Sequence, residues 1–175
     1  AEYAHKISPS AEAATGLGNM SYVKGDLDKA IEYYQEAVNL STEDIDIAEI
    51  LFRIAQVYYK KGEYTNVRKY CKESLAKNPA QGQPHIMLGL VYAQAKVSDD
   101  PTLQKAVYWA SVDQFAKAKS VEPTEDMVEQ ANKLIRTYSA YFPSKEEVFM
   151  HPDVEEGKSH FVGGWVSEST TVRSK

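Results

Sequence analysis

Histidine and carboxylate side chains cluster near the C-terminus, where they could hold a metal ion. The cluster consists of His151, Asp153, Glu155, Glu156 and His160. Imidazole and carboxylate groups are ordinary zinc ligands, but this spacing matches no established motif such as HExxH. The remaining histidines, His5 and His85, lie far away in the sequence. A flexible acidic tail is therefore favoured over a metal site, and we predict no metal and no cofactor.

Nucleophilic chemistry has a single candidate thiol. Cys71 is the one cysteine of the chain, so it has no partner for an internal disulfide. It falls on the apolar face of a helical pattern, and a buried thiol without a basic neighbour is inert. The motifs GxSxG, GxxxxGK[ST] and GxGxxG after a strand do not occur in the sequence. We therefore do not expect an enzyme.

The charge pattern argues against nucleic-acid and membrane-spanning classes. The formal net charge is -5, which does not suit a general phosphate-binding surface. Basic side chains do gather at Lys60, Lys61, Arg68, Lys69, Lys72 and Lys77. A solvated helix face explains such a run better than a nucleic-acid patch. No apolar run approaches the ~18–20 residues that cross a bilayer, so no transmembrane segment is predicted.

The elements that carry these side chains form a repeat. The segment "VKGDLDKA" around Gly25 aligns with "YYKKGEY" around Gly62, and the flanking residue types then match. Each segment has two stretches of helical periodicity with the glycine between them. Glycine just past a helix end adopts the left-handed conformation at little cost, and Asp26 is a candidate cap for the following helix. We therefore predict helical hairpins that stack on one another.

This pattern resembles the tetratricopeptide repeat family. The matching residues are Leu17, Gly18, Ala30, Tyr34 and Ala37 in a first repeat, Tyr58 and Pro79 in a second, and Leu88, Gly89, Tyr92, Phe115, Ala118 and Pro123 in a third. The resemblance implies an all-α fold of stacked helix hairpins in a right-handed superhelix. It also implies repeats at about 11–42, 48–79 and 82–123. Residues 1–9 would end a preceding repeat, which would make this sequence a fragment of a longer protein.

The third repeat and the C-terminal region depart from the regular pattern. After an insertion, Asp100 as N-cap and Pro101 as first helical residue predict a helix over Thr102–Val121. A capping helix is expected over 124–142 with Thr124 as its cap, followed by an extended, β-like tail over 143–175. Within the tail, Ser144 and Glu147 form a capping-box pattern. Docking of Trp165 on the last helices is favoured over a ligand-stacking role.

The resemblance also implies where a partner would bind, because the first helix of each tetratricopeptide hairpin lines a concave groove. The motif positions that face the groove give Asn19, Tyr22, Phe52, Arg53, Gln56, Tyr59, Met87 and Leu90. Some family members hold a partner's C-terminal carboxylate with a basic clamp, and of that set only Asn19 is present here. A partly apolar peptide or helix is therefore the expected ligand. Packing of Phe52, Ile86 and Leu90 against the chain's own helices or tail is an equal alternative.

The predicted function is a protein–protein interaction scaffold or adaptor, with no reaction. One alternative is a self-association module whose groove is filled by its own tail, and another is a metal- or ligand-binding tail. The motifs "YFPSKEE" and "VGGWVSESTTVR" resemble endings of cell-envelope tetratricopeptide proteins of the Bacteroidetes. An envelope or periplasmic location would need a signal peptide upstream of this sequence, and a cytoplasmic one is expected otherwise.

Overall fold

A computed structural model describes residues 9–175 of the chain. The segment predicted to end a preceding repeat lies, apart from Pro9, outside the described residues. The chain divides into two compact units, the first ending at Ala80 and the second running from Gln81 to Lys175. The helices are those of the predicted all-α class, with a small two-stranded sheet near the C-terminus. Among the described residues, no helix is both long and apolar enough to cross a membrane.

The first unit contains two helical hairpins. Their helices are α1 (Ala11–Lys24), α2 (Leu27–Leu40), α3 (Asp44–Lys61) and α4 (Tyr64–Lys77). Each helix packs on its hairpin partner, and α2 also packs on α3. Apolar residues at helical spacing, such as Leu17, Tyr34 and Ile54, form the buried core. The hairpin prediction for both glycine-marked segments is thus confirmed.

Both hairpins turn at the predicted glycines. Gly25 has a φ of 82° and Gly62 a φ of 74°, both in the left-handed region. At the first turn the Asp26 amide donates to the Ser21 carbonyl at 2.9 Å, which is the outer hydrogen bond of a Schellman motif. Asp26 then caps α2 by accepting from the Lys29 amide. The two glycines therefore end one helix of each pair and allow the chain to reverse.

The second unit carries five helices and the sheet within its described residues. They are α5 (Gln83–Tyr92), α6 (Pro101–Gln104), α7 (Ala106–Val121), α8 (Glu125–Ser139) and α9 (Lys145–Met150), then β1 (Ser159–Val162) and β2 (Glu168–Thr171). The strands pair antiparallel, with His160 opposite Thr170. The predicted caps Asp100, Thr124 and Ser144 each accept the expected backbone hydrogen bonds.

One helix prediction is wrong in its continuity. The helix expected over Thr102–Val121 is broken at Lys105 into α6 and α7. The Lys105 amide donates to the Thr102 carbonyl, and the Tyr108 amide donates to the Lys105 carbonyl. These bonds between residues three apart tighten the backbone locally, as in a 3₁₀ turn. The Gln104 side chain meanwhile accepts from the Val97 and Ser98 amides and so holds the preceding loop.

The tail is docked on the helices of its own unit. Trp109 of α7 is fully buried, and its indole Nε1 donates to the Arg173 carbonyl at 2.8 Å. Arg173 returns a hydrogen bond to the Trp109 carbonyl and an ion pair to Asp113, both at 2.8 Å. Val162 on β1, Val166 in the turn between the strands and Val172 just after β2 are all buried. Both strands of the hairpin therefore pack on α7.

The ring of Trp165 packs beside α5, whereas docking on the last helices was predicted. It is half-buried, and its ring centroid is 6.0 Å from that of Tyr92 on α5. The Tyr92 hydroxyl in turn donates to the Glu168 carboxylate at 2.8 Å. The aromatic side chain thus contributes to packing of the tail. The capping helix is shorter than the predicted 124–142, since α8 ends at Ser139 and the buried Phe142 follows in a turn.

Candidate peptide-binding surface

Four of the eight predicted groove residues meet on the first unit. Asn19 and Tyr22 on α1 face Arg53 and Gln56 on α3 across a depression of about 250 Å³. The depression is smaller than the roughly 300–1,000 Å³ of a typical small-molecule site. A size of this kind suits one or two side chains of a protein ligand better than an enclosed metabolite. We call it the central depression.

A hydrogen-bond network fixes the polar centre of this depression. The buried Tyr34 hydroxyl donates to Asn19 Oδ1 at 2.7 Å, and Arg53 Nη1 donates to the same oxygen at 3.3 Å. Burial raises the pKa of the Tyr34 phenol, so this group stays protonated and remains a donor. With Oδ1 accepting both bonds, the side-chain amide nitrogen is what Asn19 can offer to a ligand.

An adjoining acidic depression of about 370 Å³ shares Asn19 and Arg53 with the central one. Its lining adds three carboxylates, Glu12, Asp46 and Glu49. Arg53 Nη2 pairs with Glu49 Oε1 at 2.6 Å, so much of its positive charge is already compensated. The local field is therefore negative, and it disfavours a ligand that presents carboxylates.

Of the three predicted aromatic groove residues on the first unit, Tyr22 lines the central depression. Tyr22 is half-buried, with the Lys60 ammonium 4.7 Å from its ring centroid. Tyr59 is 43% exposed, and its ring lies 6.0 Å from that of Tyr64. Phe52 is half-buried on the same helix. Phe52 and Tyr59 line neither of the two depressions.

The two remaining predicted residues belong to the second unit. Met87 and Leu90 lie half-buried on α5. Their participation in a groove with the first unit stays a prediction. The candidate surface described on the first unit therefore consists of Asn19, Tyr22, Arg53 and Gln56.

Several residues that shape the site were not predicted as part of it. Tyr34 matches the repeat pattern in the sequence, and in the structure its hydroxyl also positions Asn19. Asp46 falls between the predicted repeats 11–42 and 48–79, but α3 begins at Asp44 and brings it into the acidic depression. A helix that begins at Asp44 places Asp46, Glu49 and Arg53 on successive turns.

The cysteine and histidine side chains that were candidates for catalysis or metal binding have structural roles. Cys71 is fully buried, and burial raises the pKa of its thiol, which opposes a thiolate nucleophile. His85 Nδ1 lies 2.8 Å from Gln114 Oε1, and His151 Nε2 lies 3.3 Å from Asp100 Oδ2. Over residues 9–175, no three histidine, cysteine or acidic side chains converge as a metal site would require.

Comparison with known proteins relates the first unit to a family and the fold to solved structures. A tetratricopeptide repeat family model matches residues 9–80. The photosystem I assembly protein Ycf3 of Prochlorococcus marinus strain NATL1A is 32% identical over 68 residues. That match covers 39% of this chain and 39% of the relative's own length. The chain therefore spans less than half the length of this relative.

Two solved structures share the fold at low sequence identity. The TPR2B domain of yeast Sti1, in a complex with pHsp70, has a TM-score of 0.60 and 17% identity. The match covers 74% of this chain and 96% of that domain. The first TPR of Spaghetti (RPAP3), bound to the HSP90 peptide SRMEEVD, has a TM-score of 0.57 and 17% identity, with 76% and 93% covered. Residues 9–80 thus match the tetratricopeptide repeat family model, and the solved structures show that the fold is that of tetratricopeptide repeat domains.

Proposed function

We propose that this protein is a protein–protein interaction scaffold whose first unit binds a non-acidic peptide segment across α1 and α3. The carrying observation is the convergence of Asn19, Tyr22, Arg53 and Gln56 on one open depression. Amide and guanidinium groups satisfy the backbone of an extended peptide, and an aromatic ring beside them supplies apolar contact area.

The chemistry of the ligand follows from the local charge. Carboxylates at Glu12, Asp46 and Glu49 lie beside the binding surface, and Arg53 already pairs with Glu49. An acidic chain end would meet like charges there, whereas a neutral or basic segment would not. The peptide specificity of this protein would therefore differ from that of the solved structure bound to SRMEEVD.

The rival proposal is a self-association module, in which a second copy of the chain covers the surface. It predicts a mass that rises with protein concentration. Static light scattering over a hundredfold concentration range distinguishes the two. A constant monomer mass supports a peptide receptor, and a concentration-dependent dimer supports self-association.

The binding test uses peptides selected from a displayed library on the immobilised protein. Fluorescence anisotropy then compares wild type with Tyr22→Ala/Gln56→Ala, and SRMEEVD serves as the acidic comparison peptide. Truncating two contact residues is expected to lower the affinity for the selected peptide by roughly tenfold or more. The acidic peptide is expected to bind more weakly than the selected one.

A matched control carries the same residue types at exposed positions of the second unit, Gln130→Ala/Tyr141→Ala. This control should bind like wild type. Circular dichroism confirms that both double variants are folded. Equal affinity of the Tyr22→Ala/Gln56→Ala variant and wild type would refute the proposed surface.

A further inference from the structure

A second open surface lies at the C-terminal end of the chain, remote in sequence from the depressions on α1 and α3. It is a groove of about 840 Å³ between α9 and the segment that follows it. The buried side chains of Val148 and Val154 form its floor, and Phe149 stands at its wall with 87% of its surface exposed. Met150, the next residue, is also exposed. We call this surface the C-terminal groove.

The walls of this groove are held in place by the rest of the unit. Ser144 and Glu147 form a complete capping box at the start of α9, and Lys105 of the neighbouring turn binds Glu147 at 2.6 Å. On the opposite wall, Glu156 accepts from the Ser174 amide at 3.2 Å. A ligand would therefore meet a preformed surface and would not have to order it, which favours binding.

The rim of the groove is acidic. Glu146, Glu155 and Glu156 line it together with a single cation, Lys145. Glu146 and Glu155 form no ion pair with any residue of the described chain. An exposed aromatic ring beside uncompensated carboxylates suits a ligand that carries both apolar surface and positive charge.

We propose that the C-terminal groove binds a partner segment in which apolar side chains alternate with lysine or arginine. The apolar side chains would pack on Phe149, Val148 and Val154, and the cations would pair with Glu146 and Glu155. An acidic segment would meet repulsion at the same rim. An anionic lipid surface would be repelled likewise, so the exposed Phe149 is assigned to a protein partner.

The test uses a fluorescein-labelled heptapeptide of sequence KLFKLFK as the probe. Its comparison peptides are ELFELFE, which reverses the charge, and KSSKSSK, which removes the apolar side chains. We expect the probe to bind at least tenfold more tightly than either comparison peptide. Binding should weaken when salt rises from about 50 mM to about 300 mM, because part of the attraction is screened.

Two variants locate the binding on this groove. Phe149→Ser removes the aromatic wall, and Glu146→Lys/Glu155→Lys reverses the rim. Each variant is expected to bind the probe at least tenfold more weakly than wild type. Ile45→Ser replaces another exposed apolar side chain, and Glu32→Lys/Glu73→Lys reverses two exposed carboxylates of the first unit. Both controls, and Tyr22→Ala/Gln56→Ala, should leave the probe's affinity unchanged.

Three results would overturn the proposal. The first is equal affinity of KLFKLFK for wild type and Phe149→Ser, or for wild type and the rim variant. The second is a wild-type dimer in sedimentation that Phe149→Ser abolishes, because the occupant would then be a second copy. The third is binding to phosphatidylcholine vesicles that depends on Phe149. Loss of probe binding in Tyr22→Ala/Gln56→Ala alone would assign the peptide to the first unit instead.

Discussion

The close contact between Gly18 and Tyr34 gives the sharpest quantitative prediction. Gly18 lies in the middle of α1, where a built Cβ atom would be 2.5 Å from both Cδ1 and Cε1 of the Tyr34 ring. Ordinary carbon–carbon contacts are ~3.5–4.0 Å, so Gly18→Ala requires the ring to move by about 1 Å or more. Tyr34 is buried, and its hydroxyl is bonded to Asn19, so it cannot move without cost.

Gly16 provides the matched control, since it lies in the same helix and a Cβ there would meet nothing within 4 Å. Glycine to alanine in a helix interior gains about 1 kcal/mol in both variants. Overpacking at Gly18 costs about 1–3 kcal/mol against that gain. The free energy of unfolding should therefore differ between the two variants by about 1–3 kcal/mol, with Gly18→Ala the less stable.

Urea denaturation followed by circular dichroism measures this difference. For an m-value of about 2 kcal/mol/M, the midpoints of the two variants should differ by about 0.5–1.5 M, with similar m-values. Gly16→Ala should unfold at or above the wild-type midpoint. Equal midpoints for Gly16→Ala and Gly18→Ala would refute the reasoning, because they would mean that Tyr34 yields without cost.

The other predictions concern the second unit. The hydrogen bond and ion pair that Glu147 forms with Lys105 lower the pKa of the Glu147 carboxyl to about 2. The ionised carboxylate therefore stabilises the folded state. This contribution is complete above the unfolded pKa of about 4.3 and is lost as pH falls toward 2. Glu147→Gln keeps the capping acceptor but not the charge, so its thermal midpoint should fall below wild type at pH 7 and converge with it near the folded pKa. Trp109→Phe removes the donor to the Arg173 carbonyl and leaves a cavity. The free energy of unfolding should therefore fall by about 2–4 kcal/mol. Trp165→Phe, at a half-buried site, should cost less.

Each of these predictions has a contrary outcome. If the thermal midpoints of Glu147→Gln and wild type differ by the same amount from pH 7 down to pH 2, the carboxylate charge does not stabilise α9. Equal midpoint losses in Trp109→Phe and Trp165→Phe would show that the hydrogen bond to the tail contributes little. Thermal melts by circular dichroism measure both comparisons.

The hairpins could be predicted from the sequence because their determinants are local. Gly25 and Gly62 adopt left-handed backbone conformations that glycine reaches at little cost. The caps Asp26, Thr124 and Ser144 lie beside the helices they begin, and each was identifiable by its type and spacing. The break at Lys105 carries no such local signal, since the helical spacing of apolar residues runs through it.

The binding surface was predicted only in outline. Repeat register placed Asn19, Tyr22, Arg53 and Gln56 on the first helices of two hairpins, and the structure brings them together. Register does not specify that the Tyr34 hydroxyl orients Asn19, because that contact joins different helices. The C-terminal groove was missed altogether, since nothing local distinguishes an exposed Phe149 from a buried one.

The sequence by itself therefore determined the helical repeat, its turns and caps, and four helix positions that line the central depression. These properties depend on residues within a few positions of one another, which helical periodicity and backbone preference relate directly. Only the tertiary structure decided how the tail docks and where charges accumulate. Trp109 and Arg173 meet across 64 positions of chain, and such contacts follow from packing in three dimensions, which no local pattern encodes.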